Sequence, residues 1–234
     1  MQKSSKDHCF EDLKRRILTT DLPPGGDLDE ATLSALYGIS RTPLREVLQR
    51  LAGEGFVRLE TNRGAKVASM NLIAMRTFFQ TAPMVYANIG RLAAENRTTE
   101  QIEDLTATQR DLTAAIRRGD VTAAALSNHA FHHVIGQMAH NPYLMACLER
   151  LLIDHTRLSQ TFYRATGAED QARIGTAASQ HDALIAAISA AEPDRVIALT
   201  LQHWDLSRDR MERFVRPDPL PVDVISQKDP HHAL

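Results

Sequence analysis

Ten histidines stand among the 234 residues of the sequence. They are the side chains best suited to chemistry near neutral pH, because a neutral imidazole offers a nitrogen lone pair to a metal or a proton. Asn128 with His132, and His129 with His133, lie four residues apart and so share a helix face. Phe131, Ile135 and Met138 beside them read as core, which sets His132 at the edge of that core, facing a cavity. His181 precedes Leu184, Ile185 and Ile188, and His203 sits beside Leu199, Trp204 and Leu206. Three imidazoles from three helices can converge on Zn, Ni, Co or Mn, with Asn128 or water nearby. The competing reading is core histidines held by hydrogen bonds alone. His8, His140, His155, His231 and His232 lack an apolar setting and read as surface or tail.

No other constellation of this kind stands out. Gly-rich phosphate loops, GxSxG and HExxH are absent. Asp154, Asp182 and Asp205 read as solvated helix positions. A metal-dependent enzyme in the helical region, with three histidines and an open site activating water, is therefore an alternative without a general base.

The elements that position these residues are helical from 71 onward. A stretch over 72–96 contains Pro83, which predicts a kink. Thr98 with Gln101 reads as a capping box, Gly119 as a stop, Asp120 as a cap, and Asn141-Pro142 and Pro193-Asp194 as breaks. About six helices result, an all-α antiparallel bundle. Residues 216–234, with prolines at 217, 219, 221 and 230, read as a disordered tail.

Residues 1–70 follow a different plan. Phe10, Leu13, Ile17 and Leu18 mark a first helix, DLPPGGD ends it, and ATLSALYG gives a short second one. In RTPLREVLQRLAGEG, Leu44, Val47, Leu48 and Leu51 form a buried face. Ser40 or Thr42 is placed to cap it, and Gly53 and Gly55 to stop it. FVRLE and AKVAS alternate around Thr61-Asn62-Arg63-Gly64, which predicts a β-hairpin. The sum is a winged helix-turn-helix. Its third helix turns Ser40, Arg41, Thr42 and Arg45 outward, where an Arg fork suits guanine edges and phosphates. The wing adds Thr61, Asn62, Arg63 and Gly64. A pure protein-interaction module is the competing reading. Arg50 and Arg58 read as surface or ion-pair residues.

Charge agrees with a local contact. The net charge is −2, but residues 40–66 carry six basic residues against three acids. Two cysteines, Cys9 and Cys147, far apart, exclude a disulfide framework and a thiolate zinc site. No run reaches the ~18 apolar residues of a membrane helix, and the start lacks a signal-peptide pattern. The expectation is a cytoplasmic, mainly α protein without membrane contact. It divides into a DNA-binding domain over 1–70, an all-α domain over 71–215, and the tail.

The quoted segments resemble one family. PPGGDLDEATLSALYGISRTPLREVLQRLAGEGFVRLETNRGAKV is similar to the winged-helix pattern of GntR-family bacterial regulators. NHAFHHVIGQMAHNPYL and QHDALIAAISAAEPDRVIALTLQHW resemble the all-helical FCD domain of its FadR-like branch. The resemblance implies a homodimeric, ligand-responsive repressor, or less often an activator, that reads an inverted repeat in double-stranded DNA. It implies an effector domain binding a small organic acid, often through a divalent metal held by one Asp and three His, here Zn or Ni. Those histidines fall on His132, His181 and His203, and the Asp position is Asn128. Ala82 stands where the family often has Arg, and Tyr86 where Glu is common. The implied effector pocket is Ala82, Tyr86, Asn128, His132, His181 and His203. Ala31 replaces an Arg that contacts DNA in some relatives.

Overall fold

Six of the described helices start where a short polar side chain accepts from a free amide of the first turn. Such caps are worth about 1 kcal/mol each. The computed structural model describes residues 4–60 and 64–215, with side chains to residue 206. The wing-tip residues Thr61, Asn62 and Arg63 and the expected tail 216–234 lie outside the described residues. Ser4 caps α1 (Ser5–Leu18) by accepting from the Asp7 amide. Asp29 does the same for α2 (Glu30–Tyr37) from the Thr32 amide. Ser40 precedes α3 (Arg41–Glu54) but makes no side-chain cap bond, and Thr42 lies inside the first turn. The helix runs through Gly53 and ends at Gly55, whose φ of 87° suits a residue without Cβ.

A three-stranded antiparallel sheet follows, in the order β1 (Asp27–Leu28), β3 (Gly64–Val67), β2 (Val57–Glu60). The hairpin agrees with the sequence reading. β1 is a correction, since DLPPGGD read only as a breaker. Its two residues are too few for alternation to register, and pairing of Leu28 with Ala65 holds them in place. Phe10, Leu13, Ile17, Leu44, Leu48, Leu51, Phe56 and Val67 close one core around this sheet. Truncating Leu48 or Leu51 to Ala there costs about 2–5 kcal/mol.

Six helices follow: α4 (Leu72–Asn96), α5 (Thr99–Arg118), α6 (Val121–Met138), α7 (Pro142–Phe162), α8 (Ala168–Ser189) and α9 (Pro193–Val215). Thr98 and Gln101 form the predicted reciprocal capping box. Asn141 accepts from the amides of Tyr143 and Leu144, with Pro142 in the first turn. α4 is the central helix, packed on α6, α7, α8 and α9. It passes through Pro83 as one unbroken element. The missing amide costs one backbone bond, and the partners packed around α4 hold the helix together. Gly90 marks its closest approach to α9: a Cβ there would lie 2.8 Å from Val196 Cγ1. Phe78, Val85, Ile89, Phe131, Met138, Leu152, Leu184 and Trp204 form the second core.

Candidate functional site

The three histidines read from the sequence come together. One ligand atom from each of His132 (α6), His181 (α8) and His203 (α9) lies within 4.8 Å of the others, and all three side chains are buried. Local sequence explains each placement. Phe131, fully buried, stacks on His181 with ring centroids 3.9 Å apart and planes 4° from parallel. Leu105, Gln109 and Leu112 form one buried stripe of α5, which delivers the Gln109 amide to His181.

Hydrogen bonds then fix the tautomers. Gln109 Nε2 donates to the Ala178 carbonyl (2.9 Å) and to Asp182 Oδ1 (3.0 Å). Its Oε1 therefore accepts, and His181 Nδ1–H donates to it at 3.1 Å. His203 Nδ1–H donates to Gln180 Oε1 at 2.9 Å. His181 thus carries its proton on Nδ1 and presents its Nε2 lone pair to His203 Nε2, 3.2 Å away; with Gln180 Oε1 accepting from His203 Nδ1, both Nε2 atoms present lone pairs. Two lone pairs need a cation between them. Ligands of one tetrahedral zinc at ~2.05 Å stand ~3.3 Å apart, close to the observed separation. His132 Nε2 is buried without a hydrogen-bond partner among the described residues. Burial holds all three rings neutral: His132 and His181 titrate well below the usual imidazole range and His203 near about 4. This donor set fits a divalent, imidazole-binding metal.

A cavity of about 20 Å³ opens beside the cluster, walled by Tyr86, His132, His155, His203, Trp204 and Thr200 together with aliphatic side chains. That is room for about one water or ion. None of its lining side chains is acidic, and none is Arg or Lys. Of the implied pocket residues Tyr86 lines the cavity, while Ala82 and Asn128 are buried but do not line it. Asn128 Oδ1 accepts the Tyr163 hydroxyl at 3.1 Å, and its Nδ2 donates to Ser159 Oγ at 3.4 Å.

Two sequence readings are corrected here. His155 is buried, hydrogen-bonded to the Tyr86 hydroxyl at 2.7 Å, with its ring 4.9 Å from that of His132. Leu148, Leu152, His155 and Ser159 recur at helical spacing, and that stripe was the available signal. Asp154 is buried rather than solvated, 3.7 Å from the Arg157 guanidinium, whereas Asp182 is exposed as read and also accepts from Gln109.

At the other end, Arg41, Thr42, Arg45 and Gln49 are exposed on the outer face of α3. Arg41, Arg45 and Gln49 border a concave space of about 600 Å³ closed by Asp29, Glu30 and Ala31 of the α2 start and by Leu59, Glu60 and Gly64 of the wing. Arg45 Nε is ion-paired to Glu30 at 3.1 Å. Arg50 lies 3.7 Å over the Phe10 ring and pairs with Glu54, in keeping with its structural reading.

Comparison with known proteins gives two family matches. The model described as "Bacterial regulatory proteins, gntR family" matches residues 6–67, and "FCD domain" matches residues 84–206. The chain is 25% identical to the gluconate operon transcriptional repressor of Bacillus licheniformis, over 86% of this chain and 82% of that one. It is 22% identical to the HTH-type transcriptional regulator YdhC of Bacillus subtilis, over 61% of this chain and 64% of that one. It shares its fold with the solved structure of E. coli McbR/YncC: TM-score 0.76, 21% identity, 91% of this chain and 99% of that one.

Proposed function

The chain belongs to the GntR family of bacterial regulatory proteins and carries the FCD domain, and on that premise we propose how this ligand-responsive transcriptional regulator works. It acts as a cytoplasmic homodimeric repressor. Residues 1–70 read one half of an inverted repeat, and residues 71–215 bind the effector and pair the subunits. Ser40, Arg41, Thr42 and Arg45 meet the major groove, while Thr61, Asn62, Arg63 and Gly64 meet the neighbouring backbone or groove. Two copies are needed because one short helix reads few base pairs.

His132, His181 and His203 hold a divalent metal, Zn or Ni, with Asn128 as a weak further donor. The observation that carries this reading is the convergence of three buried imidazoles within 4.8 Å, with His181 Nε2 and His203 Nε2 3.2 Å apart and His132 Nε2 without a hydrogen-bond partner among the described residues. The metal supplies a Lewis-acid centre for a ligand's oxygen. Four neutral donors leave its double charge uncompensated, and no Lys, Arg, Asp or Glu lines the cavity. An anionic effector, a small organic acid, is the complementary ligand, and the cavity of about 20 Å³ must widen to admit it beside the metal. Tyr86, beside His155, offers it a hydroxyl in a dry wall. An effector that binds one arrangement of the dimer better shifts DNA affinity by the same factor.

The matches are to transcriptional regulators, and they give the enzyme alternative no support. The test is metal content by mass spectrometry on protein prepared without chelator, beside His132→Ala. About one Zn or Ni per chain, lost in the variant, is the expected result. No metal in either protein would overturn the metal reading, and retention in the variant would move it elsewhere. DNA binding is checked separately with Arg41→Ala and Arg45→Ala.

A further inference from the structure

α7 is buried on two sides, against different partners. Leu148 and His155 line the cavity, Leu152 belongs to the bundle core, and Ser159 meets Asn128. Arg157 is two residues beyond His155, and at ~100° per residue it points to the opposite side of the helix. That side meets the winged domain. Ile153 is buried within the N-terminal core. Gln160 Nε2 donates to the Leu18 carbonyl at 3.5 Å. Arg157 Nη1 donates to the Ala68 carbonyl at 2.7 Å. Ala68 closes the wing, its amide donating to the Phe56 carbonyl at 2.9 Å, and opens the connection 68–71 into α4.

Arg157 holds that junction at a cost. Its side chain is fully enclosed. Its Nε and Nη2, and Oδ1 of Asp154, have no hydrogen-bond partner among the described residues. An enclosed guanidinium with donors left over is less favourable than a neutral side chain of similar shape. An open groove of about 690 Å³, between Lys14 and Arg50 on one side and His133 and Glu149 on the other, lies along the first half of α7, from Ala146 to Leu152. α7 therefore meets the winged domain at a few points and has room to shift.

We infer that Arg157 is the positioning residue through which occupancy of the histidine cavity reaches the DNA-binding domain. The inference rests on the metal reading above. His132, as a ligand of such a metal, would bear on the Leu148–His155 wall of α7, since its ring lies 4.9 Å from that of His155. Arg157, on the far side of the same rigid helix, passes a shift of that wall to the Ala68 carbonyl and so to the angle between wing and α4. Typical couplings between sites are about 5–150-fold, and the effect belongs in that range.

The probe is the metal alone, Zn or Ni, on the full chain. Trp204, the one tryptophan of the sequence, lines the cavity and reports occupancy by its fluorescence. A duplex selected by this chain from a random-sequence pool reports DNA affinity. The parent is expected to change its Kd for that duplex at least 5-fold between metal-loaded and chelated states. In Arg157→Met the change collapses to under 2-fold while the Trp204 titration midpoint stays put, and Arg157→Lys restores part of it. Should Arg157→Met fold poorly, amide exchange on the parent decides: metal must alter protection at residues 68–72 and 153–160. A variant that keeps the parent's ratio, or parent exchange unchanged at both segments, overturns the inference and leaves the metal reading standing. A Trp204 signal that ignores metal overturns the metal reading, and the inference falls with it.

Discussion

Gln109→Met tests the metal site through a residue that would not touch the metal. The substitution keeps side-chain length and removes the amide. Gln109 Oε1 is now an acceptor because its Nε2 is committed to Ala178 and Asp182. That fixes the His181 proton on Nδ1. In the variant His181 is free to carry its proton on Nε2 and donate it to His203 Nε2, 3.2 Å away in the parent. A metal must then displace a satisfied hydrogen bond. Partners of this kind are worth about 10–100-fold in metal affinity. Metal at 100 times the parent Kd adds about 2.7 kcal/mol to unfolding, and after a 30-fold loss about 0.9 kcal/mol. At about 2–4 °C per kcal/mol for a chain of this size, the metal-induced rise in Tm shrinks from about 5–11 °C to about 2–4 °C. Metal-free Tm moves less, because the new His–His bond offsets part of the lost amide bonds. Trp204 titration and paired thermal scans measure both quantities. An affinity within 3-fold of the parent, with the full rise in Tm, would refute the tautomer argument.

Two further outcomes are expected. Burial holds His129 and His203 near about 4 and His155 near about 3, against 6.5 for an exposed imidazole. The unfolded chain therefore binds more protons between those values. Metal-free stability is full above pH 6.5 and falls as pH drops towards 4, by up to about 1.4 kcal/mol per pH unit for each histidine; a urea midpoint equal at pH 7.5 and pH 5 would contradict it. Glu30→Gln removes the carboxylate that pairs Arg45 at 3.1 Å and leaves that guanidinium free for DNA. Its affinity for the selected duplex should rise, whereas Arg45→Ala should lower it by about 1–3 kcal/mol or reduce the salt slope by about 1. Equal affinities in the two variants would remove Arg45 from the interface.

What the sequence made legible follows from period and punctuation. The buried face of α3 and the capping of α5 each involve residues within four of one another, so chain order alone reveals them. The convergence of His132, His181 and His203 was readable only as a possibility of packing, since three helices must meet to produce it. Gln109 and Gln180 carry no local signal of their own, because an amide on an apolar stripe looks like any polar interruption. His155 was a different failure. Leu148, Leu152 and Ser159 already marked its face, but a histidine between Asp154 and Thr156 was read by its neighbours in sequence rather than by those one turn away. Arg157 reverses the same lesson: a charge on a helix is usually solvated, and its hydrogen bond to the Ala68 carbonyl and its pairing with Asp154 are what accompany its burial.

Asn128 decides how the site balances charge. Its amide is satisfied from both ends. Tyr163 donates to Oδ1, and Nδ2 donates to Ser159 Oγ, whose own proton goes to the His155 carbonyl at 2.9 Å. In Asn128→Asp the Tyr163 bond survives and strengthens, but the second carboxylate oxygen faces the lone pairs of Ser159. A charge is also buried, at a position whose hydrogen-bond partners, Tyr163 and Ser159, are both neutral. Without metal the variant should lose about 1–3 kcal/mol. With metal the sign reverses if the carboxylate reaches the ion, because it supplies the anionic donor that the neutral set lacks, and Kd for Zn should fall at least 10-fold. The effector responds in the opposite direction, since a metal already neutralised in part attracts a carboxylate less. Denaturation with and without Zn, beside the Trp204 titration, separates these effects. Equal losses in both states would show that Asn128 serves Tyr163 and Ser159 alone and that the ion is held by the three imidazoles.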